Sequence, residues 1–211
     1  MTVSICTSVF NQSDLLKGMI ASVIGQSYKD WELIIVDDAS TEDIKALCEE
    51  WNDDRIRYER LAANGGGNAG LNYAITLARG QYISFLSADE RIDLNKLLWQ
   101  VGYLDEHPEI GGLWGLPNNG PLGERPEWEQ YATKAHNRSG EAWIRTLLDL
   151  DNIPIGGASW LTRKSVIDDI GGSMLPAASA ETWSCSYASS RSMRVASCPT
   201  AGPGKTRPTR R

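Results

Sequence analysis

The ten residues Trp31-Glu-Leu-Ile-Ile-Val-Asp-Asp-Ala-Ser40 (WELIIVDDAS) decide how this chain folds. Residues 31–36 are almost entirely apolar, which is typical of a central strand in a parallel sheet covered by helices on both faces. Two acidic residues follow this strand directly. Ligands of open parallel sheets bind beyond the carboxyl ends of the strands, so Asp37 and Asp38 are candidate binding residues.

Short apolar runs alternate with amphipathic segments on both sides of this strand, which indicates consecutive β-α-β units. The pattern predicts strands at residues 3–9, 31–36, 55–61, 82–86, 110–114 and 159–162. Helices are predicted near residues 13–24, 40–51, 69–79, 95–106, 141–150 and 164–170. We therefore expect an α/β fold with a Rossmann-like, mostly parallel mixed sheet flanked by helices.

The start of the second helix bears on the role of Asp38. The segment Ser40-Thr-Glu-Asp43 has the spacing of a capping box, with Ser40 as the N-cap. If Ser40 caps the helix, Asp38 is free to face a ligand. The alternative is that Asp38 itself caps the helix.

Composition is ordinary for a globular protein, with 211 residues, 41% of them hydrophobic and 23% charged. No apolar run is long enough to span a bilayer, and the N-terminal residues lack the basic start of a signal peptide. The four cysteines have no metal-binding or redox spacing. We expect a cytoplasmic protein, with peripheral contact to the inner face of a membrane as a further option.

The C-terminal part of the chain differs from the rest in charge and composition. After Glu181 there is no acidic residue but there are six basic ones, so the net charge of −6 understates how acidic the preceding part is. An acidic body argues against nucleic acid as a partner. Residues 173–211 are rich in Ser, Pro and Arg and are expected to lack fixed structure. The expected domain covers residues 1–172, with a ligand-binding half at 1–114 and a second half at 115–172.

Three stretches of the sequence resemble the nucleotide-sugar half of the family-2 inverting glycosyltransferases. They are VSICTSVFNQSDLL (residues 3–16), SVIGQSYKDWELIIVDDAST (22–41) and NGGGNAGLNYAITLARGQYISFLSADE (64–90). The resemblance covers about residues 3–171 and implies the glycosyltransferase A-type fold. It also implies a nucleoside-diphosphate sugar donor, transfer with inversion to an unknown glycan, lipid or protein acceptor, and a place in polysaccharide assembly.

The resemblance also implies roles for single residues. Ser8, Phe10 and Asn11 fall on the loop that lines the nucleotide base, and Asp38 falls on the acid that binds the base. Further nucleotide-sugar contacts are implied for Asn64, Gly66, Asn72 and Ser87. Asp89 falls on the last acid of the family's Asp-x-Asp motif, which binds Mg²⁺ or Mn²⁺. Such a cation stabilises the charge that develops on a departing diphosphate.

The chain departs from the family pattern at three places. Ser87 stands where the first motif acid is usual, and Leu71 replaces a positive charge that could help to hold diphosphate. Glu90, which follows the metal-binding position and is not one of these departures, is expected to point away from the metal. The general base is expected after residues 171–172, where Glu181 beside Trp183 is the candidate, but the surrounding sequence does not match the family.

Two alternatives remain open from the sequence. The first is a non-catalytic or truncated remnant that binds nucleotide-sugar without transferring it, as Leu71, Ser87 and the unusual C-terminal segment favour. The second is an oxidoreductase that binds an NAD-type dinucleotide. Gly65-x-Gly67-x-x-Gly70 matches the dinucleotide fingerprint, but this fingerprint normally lies in the first β-α unit, and here it lies later in the chain.

Overall fold

The computed structural model describes residues 1–108, 110–114, 157–169 and 194–197. Seven strands in these residues form one sheet: β1 (Val3–Val9), β2 (Trp31–Asp37), β3 (Ile56–Arg60), β4 (Tyr82–Phe85), β5 (Ile110–Trp114), β6 (Trp160–Arg163) and β7 (Arg194–Ser197). The α-helices are α1 (Ser13–Ile24), α2 (Ile44–Glu49), α3 (Gly67–Leu77), α4 (Lys96–Glu106) and α5 (Lys164–Asp169), and a short 3-10 helix (Gly157–Ser159) precedes β6.

The strand order is β3-β2-β1-β4-β6-β5-β7. Strands β3, β2, β1 and β4 are mutually parallel, whereas β6 runs antiparallel to both of its neighbours, β4 and β5. The predicted mixed, mostly parallel sheet is therefore confirmed. The order reverses beside β1, since the chain moves outward to β2 and β3 and then returns to place β4 on the other side. Such a switch point opens a crevice at the carboxyl ends of the two strands.

Helices cover both faces of the sheet because successive side chains of β2 point in opposite directions. Every residue of β2 is buried. Leu33 and Ile35 belong to a core shared with α1, α2 and α4, whereas Ile34 and Val36 belong to a second core shared with α3. The apolar run in the sequence thus reflects burial on both sides.

The start of α2 differs from the prediction. The helix begins at Ile44 and its N-cap is Asp43, whose carboxylate accepts a hydrogen bond from the Ala46 N–H at 3.0 Å. Ser40 is not the cap. Its hydroxyl oxygen instead accepts the N–H of Asn11 at 3.0 Å, which links the end of β1 to the end of β2. The capping residue is therefore the last residue of the predicted box.

Within the C-terminal segment of residues 173–211, Arg194–Ser197 form β7, which pairs with β5 in parallel. The expectation that this segment lacks structure does not hold for these four residues. Its remaining residues, and the helix predicted at residues 141–150, lie outside the described residues. No helix in the described part of the chain is both long enough and apolar enough to cross a membrane.

A buried carboxylate on the α3 side of the sheet ties three elements together. Glu32 of β2 is fully buried, and Oε1 accepts hydrogen bonds from the Ser4 hydroxyl at 2.7 Å and the Arg79 N–H at 2.8 Å. Arg57 of β3 forms an ion pair with Oε2 at 3.0 Å. Burial alone raises the pKa of Glu32, but these hydrogen bonds and the Arg57 charge outweigh it, so the net pKa is lowered.

This network predicts a pH-dependent loss of stability. A carboxyl group with a lowered pKa in the folded state stabilises the fold above its ordinary pKa of 4.5, and this contribution is lost as the pH falls through the lower, folded-state value. We expect Glu32→Gln to destabilise the chain by about 3 kcal/mol at pH 7, because the Arg57 charge loses its partner. Urea unfolding at pH 7 and pH 3 measures both effects.

The penalty of Glu32→Gln should shrink at the lower pH. The matched control is Glu106→Gln, which changes an exposed acid at the end of α4. An equal penalty at both pH values would contradict the assigned role of the Glu32 charge.

Helix α3 packs closely on β1, with the backbone of Gly70 directly against the Ser8 side chain. A Cβ atom on Gly70 would lie 2.1 Å from Ser8 Oγ and 2.8 Å from Ser8 Cβ. The clash with Ser8 Cβ cannot be relieved by rotating the hydroxyl, so any larger residue must move α3 away from the sheet. A glycine is therefore required here for close approach.

We expect Gly70→Ala to destabilise the fold by about 2 kcal/mol because it overpacks this contact. Gly67→Ala is the matched control, since a Cβ there meets nothing within 4 Å and the residue begins the same helix. Urea unfolding of the two variants measures the difference. Equal stability of the two variants would contradict the close packing of α3 on β1.

Candidate functional site

The polar strand ends meet at the switch point between β1 and β4. In the β1–β4 pairing Cys6 lies opposite Phe85. Just beyond this pair, the Leu86 N–H donates to the Cys6 carbonyl oxygen at 3.1 Å and the Thr7 hydroxyl donates to the Leu86 carbonyl oxygen at 2.9 Å. On the other side of β1, Val9 lies opposite Asp37. Neighbouring strands are about 4.8 Å apart, so the three strand ends lie side by side at one edge of the sheet, where a switch point opens a crevice.

Asp37 supports the framework of this rim. Its buried carboxylate accepts hydrogen bonds from the Ser40 N–H and the Tyr58 hydroxyl, each at 2.8 Å, and forms an ion pair with Arg60. Burial raises the pKa of Asp37, but the hydrogen bonds from Ser40 and Tyr58 and the Arg60 charge lower it overall. Both oxygens of the Asp37 carboxylate therefore bind protein groups on the α2 side of the sheet.

Asp38 points to the opposite side and organises the glycine-rich loop before α3. Its carboxylate accepts the N–H groups of Gly65 at 2.7 Å and Gly66 at 2.8 Å, one on each oxygen. The Asn64 side chain donates to the Asp38 carbonyl oxygen at 3.2 Å. Gly66 has a φ of +83°, a conformation that side chains disfavour. Asp38 therefore does not cap α2. The residue is 2% exposed, and each of its carboxylate oxygens already accepts one backbone N–H.

The end of β1 supplies an exposed aromatic ring. Phe10 is 46% exposed although it directly follows a buried strand. The next residue, Asn11, has a φ of +51°, and its side-chain oxygen accepts the Thr41 N–H at 2.8 Å. This contact fixes the path of the chain just after Phe10. Asn11 itself is committed to structure through its side-chain oxygen.

Two residues of α3 bear on the predicted diphosphate contacts. Leu71 is partly buried and packs against the second core, with Ile34, Val36 and their neighbours. This packing accounts for an apolar residue where the resemblance implies a positive charge. Asn72 is half-buried on the same helix.

The end of β4 forms a tight turn from Ser87 to Glu90. Ala88 is 1% exposed and belongs to the first core, whereas Ser87 and Asp89 are exposed. The Glu90 carboxylate accepts the Ser87 N–H at 3.0 Å, and the Glu90 N–H donates to the Ser87 carbonyl oxygen at 3.0 Å. Of the two acids in the turn, Asp89 is therefore the one that extends into solvent.

This single carboxylate suits a cation that is shared with a ligand. Among the residues that the structure describes, no group of three or more His, Cys, Asp or Glu side chains could hold a metal ion. Mg²⁺ is commonly bound by one or two carboxylates together with substrate phosphates and water. Asp89 fits that pattern, whereas a site built by protein ligands alone does not.

Lys96 is a residue of this region that the sequence did not single out. The Lys96 ammonium group donates to the Ser84 hydroxyl at 2.9 Å and to the Trp160 carbonyl oxygen at 3.0 Å, and so joins β4, α4 and β6. Burial lowers the pKa of Lys96 to about 7, and the charge of Glu90 acts in the opposite direction. Its only sequence signal is a lysine at the start of a helix, which is usually a solvent-exposed position.

The structure brings together most of the predicted site residues. Those at the carboxyl rim of the sheet are Ser8, Phe10, Asn11, Asp38, Asn64, Gly66, Ser87 and Asp89. Glu181, the predicted base, lies outside the described residues.

Known proteins support a family assignment for this arrangement. The family model described as Glycosyl transferase family 2 matches residues 4–171. A Bacillus subtilis protein, TuaG, which carries the provisional name of a teichuronic acid biosynthesis glycosyltransferase, is 34% identical over 106 residues. That match covers 49% of this chain and 42% of TuaG, so the chain spans less than half the length of this relative.

Two solved structures share the fold. TarS residues 1–349 from S. aureus superpose with a TM-score of 0.72 at 19% identity, covering 93% of this chain and 58% of that structure. The mannosyltransferase PcManGT from Pyrobaculum calidifontis, solved with GDP-Man and Mn²⁺, gives a TM-score of 0.73 at 16% identity, covering 94% and 55%. Both likenesses establish the fold, and the family match covers most of the chain. The chain belongs to glycosyl transferase family 2.

Proposed function

We propose that this chain transfers a sugar from a nucleoside-diphosphate donor to an acceptor hydroxyl, with inversion and with help from Mg²⁺ or Mn²⁺. The observation that carries the proposal is the placement of two acids at the carboxyl ends of the parallel strands, where the strand order reverses beside β1. This arrangement places the exposed Asp89 carboxylate and the loop held by Asp38 at one end of the sheet. A nucleotide diphosphate bound along this rim would meet both.

The nucleotide would bind over the ends of β1 and β2. Asp38 can accept a hydrogen bond from an N–H of the base, and the exposed Phe10 ring can pack against it. Ser8, Asn64, Gly66 and Asn72 then face the ribose and diphosphate. Fold relatives support this class of donor, since TarS has been solved with UDP and with UDP-GlcNAc.

A cation would bind between Asp89 and the donor diphosphate. When bound, it supplies positive charge against the negative charge that develops on the leaving diphosphate. Ser87 lies beside Asp89 and can donate a hydroxyl hydrogen bond to a phosphate oxygen. The presence of Mn²⁺ in the structure of PcManGT supports a divalent metal for this fold.

Inversion requires one displacement at the sugar. The acceptor oxygen forms a bond to the anomeric carbon as the bond to diphosphate breaks, and a general base removes the acceptor proton. Glu181 remains our candidate for that base. The acceptor is proposed to be a growing surface glycan or its lipid carrier, because the name of TuaG refers to teichuronic acid biosynthesis.

Donor binding without transfer is the second candidate function. Leu71 packs against the second core at the position where a positively charged residue would help to hold the diphosphate. Without that charge the leaving diphosphate is less stabilised, which favours binding of the donor without transfer. Membership of a transferase family argues against the dinucleotide-binding alternative. Its fingerprint glycines also follow β3, which lies at the edge of the sheet and away from the first β-α unit.

Hydrolysis of the donor to water tests the proposal without knowledge of the acceptor. We expect Mn²⁺-dependent release of sugar from UDP-glucose, UDP-GlcNAc or GDP-mannose, with proton NMR showing the inverted anomer first. Asp89→Asn should slow release about a hundredfold because it removes the proposed metal ligand. Asp54→Asn is the matched control, since it changes an exposed acid before β3, at the opposite end of the sheet.

The outcomes separate the two candidate functions. Donor that binds but releases no sugar would support the binding-only alternative. Release with retained configuration, or equal rates for Asp89→Asn and wild type, would contradict the proposed mechanism.

A further inference from the structure

We propose that Glu90 is a positioning residue that holds the Ser87–Glu90 turn in the shape that presents Asp89 to the metal and Ser87 to the donor diphosphate. This inference rests on the proposed function and deepens it. It assigns a role to an acid that stands next to the metal-binding position and that the sequence predicts to point away from the metal.

The first observation is a reciprocal pair of hydrogen bonds. The Glu90 carboxylate accepts the Ser87 N–H, and the Ser87 carbonyl oxygen accepts the Glu90 N–H, each at 3.0 Å. The spacing Ser87-x-x-Glu90 is that of a capping box, in which the acid reaches back to the N–H of the first residue. The backbone at Ser87 is therefore fixed by a charged acceptor, and charge-assisted hydrogen bonds are stronger than neutral ones.

The second observation is that the residues flanking Asp89 are anchored. Ala88 is 1% exposed and packs in the first core. Beyond Glu90, the Arg91 guanidinium lies across α1 at Gly18, so close that a Cβ on Gly18 would be 2.0 Å from Arg91 Nη2. The Ile92 N–H donates to the Ser22 hydroxyl of α1 at 3.3 Å. Asp89 is thus exposed between the buried Ala88 and a backbone contact with α1.

These contacts give Glu90 and Asp89 different tasks. The Glu90 carboxylate has a backbone partner and stabilises the turn, whereas the Asp89 carboxylate is exposed and available to a cation. If Glu90 is shortened to alanine, Ser87 and Asp89 remain present, but the turn loses the bond that orders it. Metal and diphosphate must then order the turn on binding, which weakens their affinity.

The experiment is a calorimetric titration of UDP with Mn²⁺ into the full 211-residue chain, combined with hydrogen exchange of the Ser87 amide by NMR. The variants are Glu90→Ala, Glu90→Gln and Asp89→Asn, with Glu106→Ala as a control for loss of an exposed acid on α4. Gly18→Ala displaces the far end of the exposed Arg91 side chain and serves as a control for a change beside the turn that leaves the Glu90 contact intact. Urea unfolding verifies that each variant is folded.

We expect Glu90→Ala to bind UDP with Mn²⁺ about tenfold more weakly and to lose protection of the Ser87 amide. Glu90→Gln keeps an oxygen acceptor for that amide, so it should retain most of both properties. Asp89→Asn should weaken metal-dependent binding while the Ser87 amide stays protected. Gly18→Ala and Glu106→Ala, which leave the Glu90 contact intact, should behave as wild type.

Three results would overturn the inference. If Glu90→Ala binds like wild type, the turn does not depend on Glu90. If Glu90→Gln weakens binding as much as Glu90→Ala while the amide stays protected in both, Glu90 contacts the metal directly. If the wild type binds no UDP with or without Mn²⁺, the proposed function fails and the inference fails with it.

Discussion

Two consecutive carboxylates at the end of the buried strand β2 contact protein groups on opposite faces of the sheet. Successive side chains of a strand point in opposite directions, so Asp37 and Asp38 cannot serve the same side. Asp37 joins the ends of β2 and β3 through Tyr58 and Arg60. Asp38 reaches the other way and orders the loop before α3. The shape of the crevice depends on this division.

Contacts between protein groups also hold the ends of the strands in place. The Asn11 N–H donates to the Ser40 hydroxyl and the Asn11 side-chain oxygen accepts the Thr41 N–H, which links the ends of β1 and β2. Gly70 lets α3 lie directly on Ser8. On the far side of the crevice, the turn at Asp89 is closed by Glu90 and anchored by Ala88. A preformed rim keeps the entropy cost of binding a flexible diphosphate low. Sites of this kind are favoured for transfer reactions because they position the reacting groups in advance.

Much of the architecture could be predicted because its cause is local. The buried run of residues 31–36 and the alternation of strands and helices follow from hydrophobic patterning, and the structure confirms them. The antiparallel direction of β6 could not be predicted in this way, because the hydrophobic pattern of a strand does not indicate which distant strand it pairs with or in which direction. The buried Glu32 did leave a mark, as an acid inside an apolar strand, but its partners Ser4, Arg57 and Arg79 come from three other segments.

For the site, the sequence indicates which residues lie near strand ends, and their roles stay predictions. Asp38 directly follows β2, and Asp89 lies in the turn after β4. The different roles of Asp89 and Glu90 could not be read from the sequence, because they depend on which carboxylate accepts the Ser87 N–H. The central claim is that one nucleotide site spans Asp38 and Asp89. A crystal structure of the chain with UDP and Mn²⁺ tests it most directly. The account predicts an anomalous manganese peak within about 2.5 Å of the Asp89 carboxylate, with the base beside Asp38. A nucleotide bound away from the β1–β4 crevice, or manganese bound away from Asp89, would contradict it.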